Sequence, residues 1–383
     1  MAIRKAAILA RRTTRSIAQT FGINPPPRLC ESILVAAPER NWQIKRLHDA
    51  FTLNFSVPHS LQQHPTLKAR FEINSNLGFP AQYLVTIPQA IIKTSSGFIV
   101  TPDGDYLTEG HWRVANVVGH PICRNEWLIK KRQNLSGDWY CAMGHWGANY
   151  NHWLWDEMPR LLTALPHLPA DTRFLVPDPL SEMQRDSLMA LGIKSQYLYP
   201  QAFDCESLVE RLWFATPLGH SEWAATAPDV AKELRQKFIE AYAKGTENYP
   251  RRRLYISRSE ARYRRLLNEE EILPILEKEG FEVIRPENLS FPEQVQTFSQ
   301  ASIIMGVHGA GLTNMLFAPS GATIVEIHGP VSRSHYWMMS NILGHHYYCF
   351  VGDTVINSNQ DRQKEPDFCL SHQNVISVID SFN

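Results

Sequence analysis

The segment VHGAGLTNMLFAPSGATIVEI, residues 307–327, sets a histidine and three small residues between an apolar strand and a short helix, with a second strand close behind. Each glycine in such a turn costs folding entropy, so the bareness needs a physical reason. In an open α/β sheet, the loop after a strand's carboxyl end lies on the ligand-binding edge. There Gly309, Ala310 and Gly311 leave backbone amides uncovered at a helix start, where unpaired N–H groups and the helix dipole attract an anion such as a diphosphate. His308 is suited to donate to a phosphate or sugar oxygen, and Thr313 and Asn314 to cap the helix or contact a ligand. Tight packing of helix on strand explains the same glycines without a ligand. Glu326, which ends the next strand, reads either as an acceptor for ribose or sugar hydroxyls or as a solvated strand terminus. The loop is not the GxGxxG dinucleotide fingerprint and no Walker lysine follows it, which argues against a dehydrogenase.

Outward from this loop, short β-branched or aromatic runs alternate with helical stretches. Strands are expected at 253–257, 281–285, 302–307, 323–327 and 346–350, with helices at 269–279, 291–300, from about 311, and at 334–343. This alternation predicts a doubly wound domain of nucleotide-binding type over 246–383. A similar alternation upstream (helix 152–165, strand 173–178, helix 181–191, strand 195–199, apolar run 208–216, helix 228–244) predicts a second Rossmann-like domain over 81–245. Residues 1–80 read as a basic arm followed by an irregular, proline-punctuated extension. FIVTPDGDYLTEG, 98–110, reads as a hairpin whose Asp103-Gly-Asp105 supplies turn geometry; a metal-holding Asp-x-Asp is the weaker reading.

Charge is balanced overall, with 38 basic and 38 acidic side chains, which argues against nucleic acid as a partner. Locally it is not. Seven arginines and one acid occupy 251–265, and Arg258 follows the first strand of the C-terminal domain on the same rim as the 308–314 loop. Guanidinium groups grip diphosphates bidentately and stay charged, so Arg258, and then one of Arg264 and Arg265, are expected to contact phosphate. The N-terminus carries Arg4, Lys5, Arg11, Arg12 and Arg15 with no acid before Glu31. It reads as a solvated arm, a peripheral contact with an anionic membrane, or a transit peptide. Six scattered cysteines without a CxxC pair fit a reducing, cytoplasmic setting.

In GANYNHWLWDEMPRL, 147–161, a helix running from Asn151 puts His152 and Asp156 four apart on one face, a recurrent arrangement for a general base near neutral pH. Pro159 disfavours helix just before it. A helix beginning nearer 156 makes Asp156 a cap instead, and the shared face is lost.

Taken together and in this order, NHWLWDEMPRL, YISRSEARYRRLLNEEE and VHGAGLTNMLFAPSGATIVEI resemble glycosyltransferase family 61, over roughly residues 95–350. The resemblance implies a GT-B fold of two Rossmann-like domains facing a cleft. It further implies a nucleotide-sugar donor, commonly UDP-linked, and inversion without a metal ion or other cofactor. Carried onto this chain, Arg258, Arg264 or Arg265, and His308, Gly309, Ala310, Gly311, Leu312, Thr313 and Asn314 hold the donor diphosphate, with Glu326 near the nucleotide or sugar. His152 and Asp156, with Glu157 next in line, stand on the acceptor side, toward a glycan or lipid-linked hydroxyl. The chain looks like bacterial members of capsule or exopolysaccharide assembly, at the cytoplasmic face of the membrane. An inactive nucleotide-sugar-binding scaffold is the alternative.

Overall fold

The computed structural model describes residues 28–30, 32–58, 61, 64–109, 119–120, 123, 128–144, 146–219, 226–246, 251–329, 333–352, 354–355 and 366–380. The basic residues 4–15 lie outside them. The chain divides into two compact units, Met1–Ala50 with Pro80–Glu222, and Phe51–Phe79 with Trp223–Asn383.

The first unit is built on one mixed nine-stranded sheet, in the order β1-β7-β6-β5-β11-β8-β9-β10 with β2 also on β5. These strands are β1 (Leu29–Cys30), β2 (Gln43–His48), β5 (Gln82–Lys93), β6 (Phe98–Val100), β7 (Tyr106–Leu107), β8 (Lys131–Cys141), β9 (Arg173–Pro177), β10 (Leu198–Gln201) and β11 (Cys205–Ala215). Parallel pairing is confined to β11-β8-β9-β10 and to β1 on β7, whereas β5 is antiparallel to β2, β6 and β11. The expected all-parallel, doubly wound sheet is therefore corrected to a mixed one. The antiparallel half comes partly from residues that show no period. Strand β2 is largely exposed, so it lacks the apolar alternation that reveals a half-buried strand. The 98–110 hairpin forms, with Val100 opposite Tyr106. Its aspartates are taken by arginines: Arg40 Nε donates to Asp103 at 2.6 Å, and Arg28 pairs with Asp105 at 2.7 Å.

The second unit contains a five-stranded parallel sheet ordered β13-β12-β14-β15-β16. Its strands are β12 (Arg252–Ile256), β13 (Phe281–Ile284), β14 (Ala301–Val307), β15 (Thr323–His328) and β16 (His346–Val351). All lie within two residues of expectation, because strands buried on both faces read as near-continuous apolar runs. On one face Tyr255, Met305, Val307, Val325 and Ile327 pack with Ile272 and Leu276 of helix α6 (Glu269–Lys278) and Val375 and Val378 of α9 (His372–Asp380). On another side, Phe238 of α5 (Pro228–Tyr242), Phe291 of α7 (Phe291–Ser299) and Phe317 meet edge to face.

A satellite core brings strands β3 (Phe51–Asn54) and β4 (Asn76–Phe79) and helix α2 (Pro65–Ile73) onto Trp337 and Met338 of α8 (His335–Ile342). Residues 51–79 and 226–242 thus group with the second unit, not with the N-terminal extension and first domain where sequence pattern set them. All six cysteines are free. No described helix is long and apolar enough to cross a membrane.

Candidate functional site

Relabelled in chain order, the second unit's sheet runs 2-1-3-4-5. In sheets of this order, connections leave strands 1 and 3 in opposite directions and open a crevice beyond their carboxyl ends. Two loops meet there: Ser257-Arg258 after β12 and His308-Gly309 after β14.

The first loop is organised by Glu269, a buried carboxylate at the start of α6. It accepts from Tyr255 Oη at 2.8 Å, Ser257 Oγ at 2.8 Å and the backbone N–H of Arg258 at 3.0 Å. Arg258 then lies along the second loop. One Nη donates to the carbonyl of Tyr263 at 2.9 Å, while Nε is buried with no hydrogen-bond partner. A Cβ at Gly309 would fall 2.7 Å from the guanidinium carbon and closer still to a terminal nitrogen. The backbone of Gly309 is extended, so its bareness makes room for Arg258; it is not a left-handed turn. Gly311 is bare against Ile256 for a similar reason. Burial, and then the positive charge of Arg264, push the Arg258 pKa down. The Arg264 charge thus acts on a part-desolvated guanidinium, and a bound anion would relieve that repulsion.

His308 is buried, and its Nδ1 is paired with Glu326. Glu326 is fully buried and also accepts from Tyr347 Oη at 2.5 Å, with His328 Nε2 at 3.6 Å. Glu326 is therefore no solvated strand terminus: its carboxylate anchors an imidazole. Burial drives His308 well below the usual imidazole range, helped by Arg264, Arg333 and Arg258, and the same burial raises Glu326. With its Nδ1 proton directed at the carboxylate, a neutral His308 carries a lone pair on Nε2. Such a lone pair is suited to accept from a hydroxyl. His308, Glu326 and His328 offer donor atoms within 4.8 Å of one another, a set that suits either hydrogen bonding or a metal ion.

The other expected residues separate. Arg265 is committed to Asp367, donating through Nη2 at 2.8 Å and through its backbone N–H at 2.8 Å, so it braces the C-terminal segment. Arg264 acts electrostatically on Arg258, His308 and Glu326. Leu312, Thr313 and Asn314 are fully buried, and Asn314 donates to Gln294 at 3.1 Å. Their side chains therefore support the loop from beneath, while Ala310 starts the 3-10 helix Ala310–Phe317. Glu269, Tyr347 and Arg333 were missed. Glu269 heads an EEE run that reads as solvated, and nothing local distinguishes Tyr347 or Arg333.

In the first unit, α3 runs without a break through Tyr150–His152, a π turn Trp153–Glu157, and Met158–Ala164. Asn149 caps it, its side chain accepting from the N–H groups of Asn151 at 2.9 Å and His152 at 3.3 Å. The π turn absorbs Pro159: Met158 N–H reaches back five residues to Trp153 O, which widens the helix where the proline ring would clash. The shared face therefore exists, and His152 Nδ1 and Asp156 Oδ2 are 2.6 Å apart, both part-buried. Glu157 instead turns inward, where Arg160 Nη2 donates to it at 2.5 Å, and is occupied.

Comparison with known proteins bears on both blocks. A family described as Glycosyltransferase 61 matches residues 150–325. The chain is 35% identical over 96 residues, 24% of its own length and 18% of the relative's, to the EGF domain-specific O-linked N-acetylglucosamine transferase of Drosophila melanogaster. It is 42% identical over 69 residues (17% and 12%) to the alpha-1,3-arabinosyltransferase XAT3 of Oryza sativa subsp. japonica. To the beta-1,2-xylosyltransferase XAX1 of the same plant it is 34% identical over 122 residues (29% and 21%). The chain thus spans about a fifth or less of the length of these relatives.

Proposed function

We propose, from the match of residues 150–325 to the family described as Glycosyltransferase 61, that the protein transfers a sugar from a UDP-linked nucleotide-sugar to a hydroxyl of a glycan or lipid-linked acceptor. The reading includes inversion at the anomeric carbon, no requirement for a metal ion, two units corresponding to the two domains of a GT-B enzyme, and a role in polysaccharide assembly. The observation that carries it is Arg258, seated on Gly309 at the switch point of a parallel sheet and within reach of the Arg264 charge.

In this reading Arg258, Arg264 and the uncovered amides after β14 hold the diphosphate, and His308 accepts from a donor hydroxyl. His152 is the base, with Asp156 orienting it: a proton on Nδ1 directed at the carboxylate leaves the basic lone pair on Nε2. The acceptor oxygen gives its proton to His152 and bonds to the anomeric carbon. The bond from that carbon to the β-phosphate oxygen breaks, and the departing diphosphate takes the electron pair. Preorganised cations stabilise that developing charge without reorganising. The 2.6 Å His152–Asp156 pair favours a transferase over an inactive scaffold, which has no use for it.

The test is incubation with α-linked UDP-sugars and glycan acceptors, with product analysis by NMR. A β-linked product formed equally well after chelation of divalent ions is expected. An α-linked product, or activity abolished by chelation and restored by one metal, contradicts the mechanism.

A further inference from the structure

Trp146 is 43% exposed, an unusual place for the largest apolar side chain. Burying an aromatic ring is among the strongest single contributions to a core, and a ring left outside on a loose loop would be unremarkable. The backbone that carries this one is held by hydrogen bonds. The turn that carries it is closed by Gly147 N–H to Gly144 O at 3.0 Å and by Asn149 N–H to Trp146 O at 2.8 Å. Gln184 donates to Gly147 O at 3.0 Å from the neighbouring helix Glu182–Ala190. Gly144 has no room for a side chain, since a Cβ there would lie 2.7 Å from the Glu157 carboxyl carbon. Three residues after Trp146, Asn149 caps the helix bearing His152. The indole lies beside the dyad, its ring centroid 6.1 Å from that of His152 with 33° between the planes.

A pyranose ring has one face lined by axial C–H groups and a rim of hydroxyls. Such a face lies flat on an indole, removing apolar surface from water, while a hydroxyl at its edge stays free to meet a base one ring away. We propose that Trp146 is a stacking platform for a pyranose of the acceptor, set so that one rim hydroxyl reaches His152. This rests on the transferase reading and narrows its acceptor to a sugar hydroxyl, as opposed to the hydroxyl of a serine or threonine in a peptide.

Saturation-transfer NMR on the full chain, with methyl β-D-glucopyranoside, methyl β-D-galactopyranoside and methyl N-acetyl-β-D-glucosaminide as probes, tests it. The parent is expected to saturate the protons of one pyranose face of at least one probe. Trp146→Ala should weaken that probe's affinity about tenfold, Trp146→Phe should keep most of it, and both variants should bind UDP as the parent does. No saturation of any probe by the parent, or equal saturation by parent and Trp146→Ala, overturns the proposal, as does transfer to a serine peptide with none to the pyranosides. UDP calorimetry on the same samples separates the layers. UDP binding with an indifferent Trp146 sinks this inference alone, and absence of UDP binding in the parent sinks the transferase reading with it.

Discussion

At the scale of single residues, the decisive relation is between a side chain and the absence of one. Gly309 has an extended backbone that alanine adopts freely, so Gly309→Ala should fold normally and act only by displacing Arg258. It should weaken UDP binding about as much as removing one charge-assisted hydrogen bond, roughly 1.5–3 kcal/mol, with the melting temperature little changed. The sequence shows the glycine and the arginine but not that one exists for the other, since 51 positions separate them and only the parallel pairing of β12 with β14 brings them together. Glu269 was illegible, and the burial of Glu326 against His308 unreadable, for a related reason: a carboxylate near an element's end looks solvated until the fold buries it. Buried imidazoles give a second prediction. His345 is pushed down to about 4, chiefly by burial, against about 6.5 in an unfolded chain. Between those values the unfolded state binds more protons, so stability rises with pH and is lost as pH falls from about 6.5 toward 4, by on the order of 1.4 kcal/mol per unit for this imidazole. Urea unfolding should show that slope in the parent and a shallower one in His345→Asn.

At the scale of elements, strand periodicity succeeded where burial is two-sided and failed where it is absent, as on the exposed β2. Helix α3 shows the limit of local rules in another way. Pro159 argues against helix before it, yet a π turn accommodates the ring and leaves the four-residue spacing of His152 and Asp156 productive. That spacing was readable from sequence, and the bulge that preserves it was not. The dyad makes its own prediction. Asp156→Asn removes the carboxylate that fixes the His152 tautomer, so turnover should fall by about 10²–10⁴-fold with UDP affinity unchanged. A variant that keeps its turnover would move the base elsewhere.

At the scale of the whole molecule, the chain leaves the first unit at Phe51, helps build the second, and returns at Pro80. No pattern in the sequence marks this excursion, because its elements are short and their apolar residues answer to a partner surface some 260 positions away: Phe71 lies 4.7 Å from the ring of Trp337. Phe71→Ala should therefore destabilise the second unit by about 3–5 kcal/mol, visible as an earlier unfolding transition in Trp337 fluorescence. Both units bear on the proposed reaction, but its central claim rests on the second, where cationic and main-chain groups at the switch point capture a diphosphate. Isothermal titration of UDP into the parent and into Arg258→Ala tests that claim most directly. The account predicts one UDP bound per chain and a loss of roughly 1.5–3 kcal/mol or more of binding in the variant; no heat in the parent, or equal affinity in the two proteins, would contradict it.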